Sequence, residues 1–239
     1  MAGVGTNRAW RAGWLAMAAA AILCGGLALG VARSPGLQFE LGYAHEAGHF
    51  HGWLPGFAQN HTKAAYWLNR AAQANHPRAQ YMLGILHAHG WGVPKDRARS
   101  VEWFTRSARN GYGPACYHLG WMYHKGDGVP RDDDEARHLL EQAAVQGMAA
   151  AQLALGRFHA RGEGVPVDGV QALKWYGLAM HFARSEPGLF DNAAFAGRAQ
   201  TAYDALVLQM GPPREAQARA LARQWLARLP LQRAATMPR

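Results

Sequence analysis

Five consecutive residues, His45-Glu46-Ala47-Gly48-His49, carry the sharpest chemical spacing in the chain. On a helix, two histidines four positions apart share a face and can bind zinc, and the glutamate between them can activate a water. A catalytic zinc also needs a third protein ligand. Gly52 fits the longer spacing of one metalloprotease class, but Pro55 stands where its third histidine belongs. His45, His49, His51 and His61 together could still take up a metal adventitiously. The pairs His87/His89 and His118/His124 are of a kind that 12 histidines in 239 residues produce by chance. Arg131-Asp132-Asp133-Asp134-Glu135 has a cation-binding composition, yet acidic residues also gather at helix N-termini, where each is favoured by ~0.3–1 kcal/mol. No Gly-rich phosphate loop, nucleophile elbow or Cys-Cys metal spacing is present.

The elements that must hold these residues are set by a period. Leu83-Gly84, Leu119-Gly120 and Leu155-Gly156 lie 36 residues apart, as do Gly90-x-Gly92-Val93-Pro94, Gly126-x-Gly128-Val129-Pro130 and Gly162-x-Gly164-Val165-Pro166. A fixed period in the range of about 20–50 residues signals stacked repeats. Within one unit, Ala79, Met82, Leu83 and Leu86 make the stripe of an amphipathic helix. Gly90 predicts a left-handed C-terminal cap, and Pro94 cannot continue the helix. Asp96, Asp132 and Asp168 stand where N-caps are wanted, and Asp132/Glu135 and Asp168/Gln171 have capping-box spacing. Second helices follow, with inner faces Ser100/Trp103/Phe104/Ser107/Ala108, Ala136/Leu139/Leu140/Ala143/Ala144 and Ala172/Trp175/Tyr176/Ala179/Met180, and Gly111 and Gly147 close the first two of them. Gly84, Gly120 and Gly156 each cost ~1 kcal/mol inside a helix, which close helix approach must return. Ala64, Trp67, Leu68, Ala71 and Ala72 extend the period upstream, with Gly42 for Gly84, Gly48 for Gly90 and a first loop six residues longer.

The period reinterprets the histidine motif. His45 falls in the slot of His87, Tyr123 and His159, and Gly48 falls on the helix-ending glycine. His49 is then expected beyond the helix, off the face it would share with His45.

Ala115, Leu119-Gly120, Tyr123, Gly126-x-Gly128-Val129, Asp132 and Ala143-Ala144-x-x-Gly147 resemble the Sel-one-like repeat (SLR), a branch of the tetratricopeptide superfamily. The resemblance covers Leu37 to about Met180. It departs from the pattern at His87 and His159, and in the long first loop. It implies an interaction scaffold without catalytic, cofactor-binding or metal residues of its own, of a type that in exported bacterial proteins acts at the cell envelope.

The expected fold is therefore all-α: a right-handed α-solenoid of about four helix-turn-helix units, at 37–75, 78–111, 114–147 and 150–181, within residues 35–182. A stack end exposes apolar surface, so helices in 183–231 are expected to cap it, ahead of a tail at 232–239. Arg214, Arg219, Arg223, Arg228 and Arg233 give the last of these a basic face that could instead meet an anionic surface. Residues 1–34 contain Ala12–Ala32, 21 residues without charge, preceded by Arg8 and Arg11 and followed by Arg33. The run is long enough for a membrane-spanning helix. The expectation is an inner-membrane anchor with the repeats on the periplasmic side, or else a signal peptide releasing a soluble periplasmic or secreted chain. Cys24 and Cys116 are not placed to bridge.

The net charge of +9 is uneven: residues 78–181 hold 12 basic and 10 acidic side chains, and residues 184–239 hold 8 and 4. That is not the basic face of a nucleic-acid binder. The expected partners are proteins, with a membrane contact through the N-terminal segment and no small-molecule substrate. Trp91 shares its slot with Asp127 and Glu163, Trp121 with Ile85 and Arg157, and His124 with Ala88 and Ala160. Slots that accept charge are open ones, and exposed tryptophans anchor interfaces. Trp91, Tyr112, Trp121 and His124 are therefore the candidate partner-binding residues, the competing reading being packing against the neighbouring unit. Two other functions are a zinc hydrolase using His45, Glu46 and His49, and a cell-wall or polysaccharide binder.

Overall fold

The computed structural model describes residues 34–47, 49–50, 54–55, 60–185 and 192–236. The apolar run 12–32, Gly48 and His51 lie outside them. Among the described residues are ten helices: α1 (Pro35–Ala47), α2 (His61–Gln73), α3 (Pro77–His89), α4 (Arg97–Arg109), α5 (Gly113–Lys125), α6 (Asp133–Val145), α7 (Ala149–Arg161), α8 (Gly169–Ser185), α9 (Asn192–Met210) and α10 (Pro212–Thr236). The long first loop holds one small pair of strands, β1 (His49–Phe50) and β2 (Leu54–Pro55), antiparallel to each other. None of the described helices is long and apolar enough to cross a membrane.

The helices pair as hairpins, α1/α2, α3/α4, α5/α6 and α7/α8, and successive hairpins stack through α2/α3, α4/α5 and α6/α7. The glycines make each hairpin close. A methyl group on Gly84 would sit 2.8 Å from the Phe104 ring, and one on Gly120 would sit 3.2 Å from Leu140 Cγ. On Gly42 it would meet Leu68 Cγ at 2.6 Å, and on Gly156 it would run into the Tyr176 ring. In each unit the second helix presses one large side chain into the notch that the first helix leaves.

The turns repeat as tightly. Gly90, Gly126 and Gly162 end the first helices at φ 81°, 69° and 73°. The N-cap carboxylates then accept from Arg99, Glu135 and Gln171 N–H at 3.0, 2.9 and 3.0 Å. Asn60 does the same for Lys63 at 3.0 Å, a cap that its amide side chain hides among the aspartates. The return half of the capping box is not what holds these turns. The N-cap amides of Asn60, Asp96, Asp132 and Asp168 instead donate to the carbonyls of His45, His87, Tyr123 and His159, at 2.9–3.0 Å. The loop folds back on the end of the first helix, so that amide already has a partner. Asn75, at φ 60°, fills the left-handed slot of Gly111 and Gly147; asparagine tolerates this conformation better than most residues.

α9 packs on α8 and α7, and α10 lies on α8 and reaches α6. Trp225 of α10 meets Trp175 at 5.5 Å and Phe182 at 6.3 Å between ring centroids, and Ala218 and Leu229 are buried. These two helices cover the last repeat. Arg223 and Arg228 remain exposed on α10.

Candidate partner-binding face

The zinc-type spacing is not carried on one helix. α1 stops at Ala47, and His49 lies in β1 opposite Pro55, so the two histidines share no helical face. Burial, with Lys63 adding to it, holds the His45 pKa below its usual value. Glu46 is engaged elsewhere: its Oε2 accepts from His61 Nδ1 at 2.8 Å. Among the described residues, no group of three or more His, Cys, Asp or Glu is arranged to hold a metal ion.

Trp91 is 42% exposed, but two imidazoles stack on its ring. His89 stacks on it at 4.5 Å and His61 at 5.6 Å, nearly parallel in each case. The contact with His61 belongs to the repeat. The loop between the two helices of a unit lies on the first turn of the preceding unit's second helix: methyl groups on Gly128 and Gly164 would collide with Arg97 and Asp133, and one on Gly92 with the backbone at His61. Trp91, Asp127 and Glu163 each point at that turn. Asp127 takes an ion pair with Arg97 at 3.3 Å, where Trp91 stacks on His61. Glu163 meets the turn through His124, whose Nδ1 donates to Asp133 at 2.7 Å while its Nε2 lies 3.9 Å from Glu163.

Trp121 and His124 are brought together at 5.3 Å, edge to face, and both lean on Phe158 of the next unit. Trp121 is half-buried. Arg157, from the same slot one unit on, lies over its ring at 5.5 Å, and Lys125 does so at 5.8 Å. The slot accepts arginine here because the guanidinium rests on an aromatic face. Tyr112 sits apart from this pair, edge-on to Tyr81 at 5.3 Å.

Tyr81 and His118 connect the two groups. Tyr81 Oη is 3.2 Å from His118 Nε2, Phe104 stacks on the imidazole at 5.6 Å, and Tyr117 stands edge-on to both His118 and Trp121. This enclosure strips water from His118 and pushes its pKa down to about 4, with His89 adding a small repulsion; Tyr81 is pushed up to about 12 by its own burial. The rings form a strip along α3, α5 and α7. Beside it lies a cavity of about 170 Å³ between α3 and α5, whose walls include Ile85, Ala88, Phe104, Met122 and Trp121.

The Sel1 repeat profile matches residues 36–76, 77–112, 113–148 and 149–179, more than half of the chain. The chain belongs to the Sel1 repeat family. Such repeats form a scaffold of the protein-interaction type and are typically non-enzymatic. Among solved structures the chain is similar to a Sel1 repeat protein from Oxalobacter formigenes, with 24% identity, a TM-score of 0.60, and coverage of 80% of this chain and 88% of that one. It is also similar to a protective antigen present in uropathogenic Escherichia coli strains displaying an SLR fold, with 24% identity, a TM-score of 0.47, and coverage of 81% and 46%. No curated protein matches it by sequence.

In these Sel1 units the sequence pointed to His61 and His118 only as chance metal ligands, and Tyr81 was passed over. His61 and Trp91 are 30 positions apart, as are Arg97 and Asp127. The loop-to-helix contact is therefore written in the period, but as pairs of changing chemistry: stacked rings in one unit, an ion pair in the next.

Proposed function

We propose that this chain is a protein-binding scaffold at the bacterial cell envelope, and that the side of the stack formed by α3, α5 and α7 receives the partner, with Trp91, Tyr112, Trp121 and His124 in or beside the contact. The observation that carries this reading is the ring strip that crosses three consecutive units and borders a cavity. Here Trp121 stays half-open, with cations lying on its ring. Aromatic residues of this kind supply large, low-entropy contact area. The uncharged run Ala12–Ala32, following Arg8 and Arg11, supports a membrane tether with the repeats on the outer side of the inner membrane.

A photo-crosslinking residue placed at Lys125, on the strip, is compared with one at Leu208, 87% exposed on α9. Protein adducts in the native cell at 125 and none at 208 are the expected result. Equal adducts at both positions, or none at 125, defeat the reading. Recovery of a peptide spanning residues 1–33 from the same sample tests the tether.

A further inference from the structure

The cations on this face differ in how they are held. Arg97 is paired with Asp127 at 3.3 Å, and Arg161 with Glu163 at 3.6 Å. Lys125 and Arg157 are not: among the described residues neither has a carboxylate within ion-pair distance, and each rests on Trp121 instead. The face's own carboxylates, Asp127 and Glu163, are already engaged. Two positive charges are thus left on one ring with no anion to meet them. They adjoin the cavity of about 170 Å³, where an apolar part of the lining (Ile85, Ala88, Phe104, Met122) shares the wall with the Arg97–Asp127 pair and to which Lys125 itself contributes. A cavity of that size holds one side chain rather than a helix.

We propose that the segment received here is an acidic stretch of a protein partner with one apolar anchor: the anchor side chain enters the cavity between α3 and α5, and flanking carboxylates pair with Lys125 and Arg157. The inference rests on the reading of this face as the partner site and adds the chemistry of the partner. An aliphatic or aromatic anchor buries surface against Ile85, Phe104 and Met122. Carboxylates beside it replace the water around two cations that have no competing anion, while a basic segment would face like charge. A nucleic acid is disfavoured because two unpaired cations on one ring, beside a small cavity that also holds the Asp127 carboxylate, do not form a track for successive phosphates.

The test uses the full-length protein and a labelled peptide with one leucine flanked by glutamates on both sides, followed by fluorescence anisotropy. Three counterparts have the glutamates changed to glutamine, the glutamates changed to lysine, or the leucine changed to glycine. The glutamate–leucine peptide is expected to bind best and to weaken as salt is raised. Lys125→Glu, at an exposed position, should weaken it about tenfold and raise affinity for the lysine peptide, a reversal that loss of fold would not produce. Ile85→Trp, which fills the cavity, should bring the leucine peptide down to the level of the glycine peptide. Thermal melting checks that each variant is folded. Equal binding of the glutamine peptide, or indifference to Lys125→Glu, overturns the acidic chemistry. Equal binding of the glycine peptide overturns the anchor. If binding ignores charge but still responds to Ile85→Trp, the face remains a docking site and only its assigned partner chemistry fails. If no peptide binds and position 125 gives no adducts, both readings fall together.

Discussion

Two grooves run between second helices, one repeat apart, and are built from matching slots. In the groove between α6 and α8, the stripe Trp175, Leu178 and Phe182 is buried, and α10 lies over it with Trp225 against two of its rings. One unit earlier the same slots hold Leu139, Gln142 and Gln146, and they line an open groove of about 610 Å³ against Thr105, Ala108 and Arg109 of α4. Cys116 replaces the buried glutamine that Gln80 and Gln152 provide in the other units. In those units the glutamine donates to the carbonyl of Ala72 or Ala144 at 3.1 Å. The open groove uses its polar groups locally: Gln146 Oε1 accepts from Gly113 N–H at 2.9 Å, and Gln142 Oε1 lies 3.6 Å from the Cys116 thiol. An apolar stripe needs a covering helix, whereas glutamines that find polar partners within their own groove do not. The choice between covered and open is thus made by three positions per second helix.

The largest effect should come from uncovering the filled groove. Trp225→Ala removes the ring that closes over Trp175 and Phe182 and is expected to cost about 3 kcal/mol, read from thermal unfolding, with a red shift in tryptophan emission as Trp175 meets water. A loss under about 1 kcal/mol would show that α10 merely lies on the stack. Next in size is a pH effect at the junction of units 2 and 3, where His118 lines the smaller cavity. The His118 pKa is about 4 in the fold against 6.5 ordinarily. The unfolded chain then takes a proton on His118 as pH falls below 6.5, and the folded one does so only near 4. Stability from this residue is complete above pH 6.5 and is lost on acidification through that window, by up to about 3 kcal/mol. Melting temperatures measured across the window should fall, and His118→Phe should flatten the slope. An unchanged slope in that variant would assign the acid sensitivity to other histidines. The smallest effect is expected from restoring the pattern. Cys116→Gln should place a donor near the Ala108 carbonyl, narrow the open groove and shift stability by no more than about 1 kcal/mol. A loss of several kcal/mol would mean that the neighbouring side chains have already closed the slot.

The fold was legible because its determinants are backbone requirements that few residues meet. Left-handed turns need Gly90, Gly126 and Gly162, close approach needs Gly84, Gly120 and Gly156, and open helix ends need Asp96, Asp132 and Asp168. Where another residue meets the same need, as Asn60 and Asn75 do, the pattern is harder to see. The candidate face was only partly legible. The slot comparison led to Trp91, Trp121 and His124, but not to which rings they touch. Sharing a slot with a charged residue does not leave a side chain bare. Arg157 occupies the Trp121 slot one unit on because it lies on the tryptophan, and Asp127 occupies the Trp91 slot because it reaches Arg97. The break in the zinc-type spacing was legible in outline, since the period ended the helix before His49. The engagement of Glu46 by His61 joins two helices across the irregular first loop, where the period offers no guide.

The reach of α10 bears on the order in which the molecule is completed. Within the repeats, partners come from adjoining units: Tyr81 finds His118, and Arg97 finds Asp127. Trp175 must wait for Trp225, 50 positions later. During synthesis the stack can therefore grow unit by unit as the chain emerges, and its last apolar stripe stays uncovered until the C-terminal helix arrives. A chain stopped at Met210 should bind a hydrophobic dye that the full-length protein excludes, and adding α10 as a separate peptide should displace it. The arrival of α10 would then seal the stack, and a copy truncated before it would be recognisable by the stripe it leaves bare.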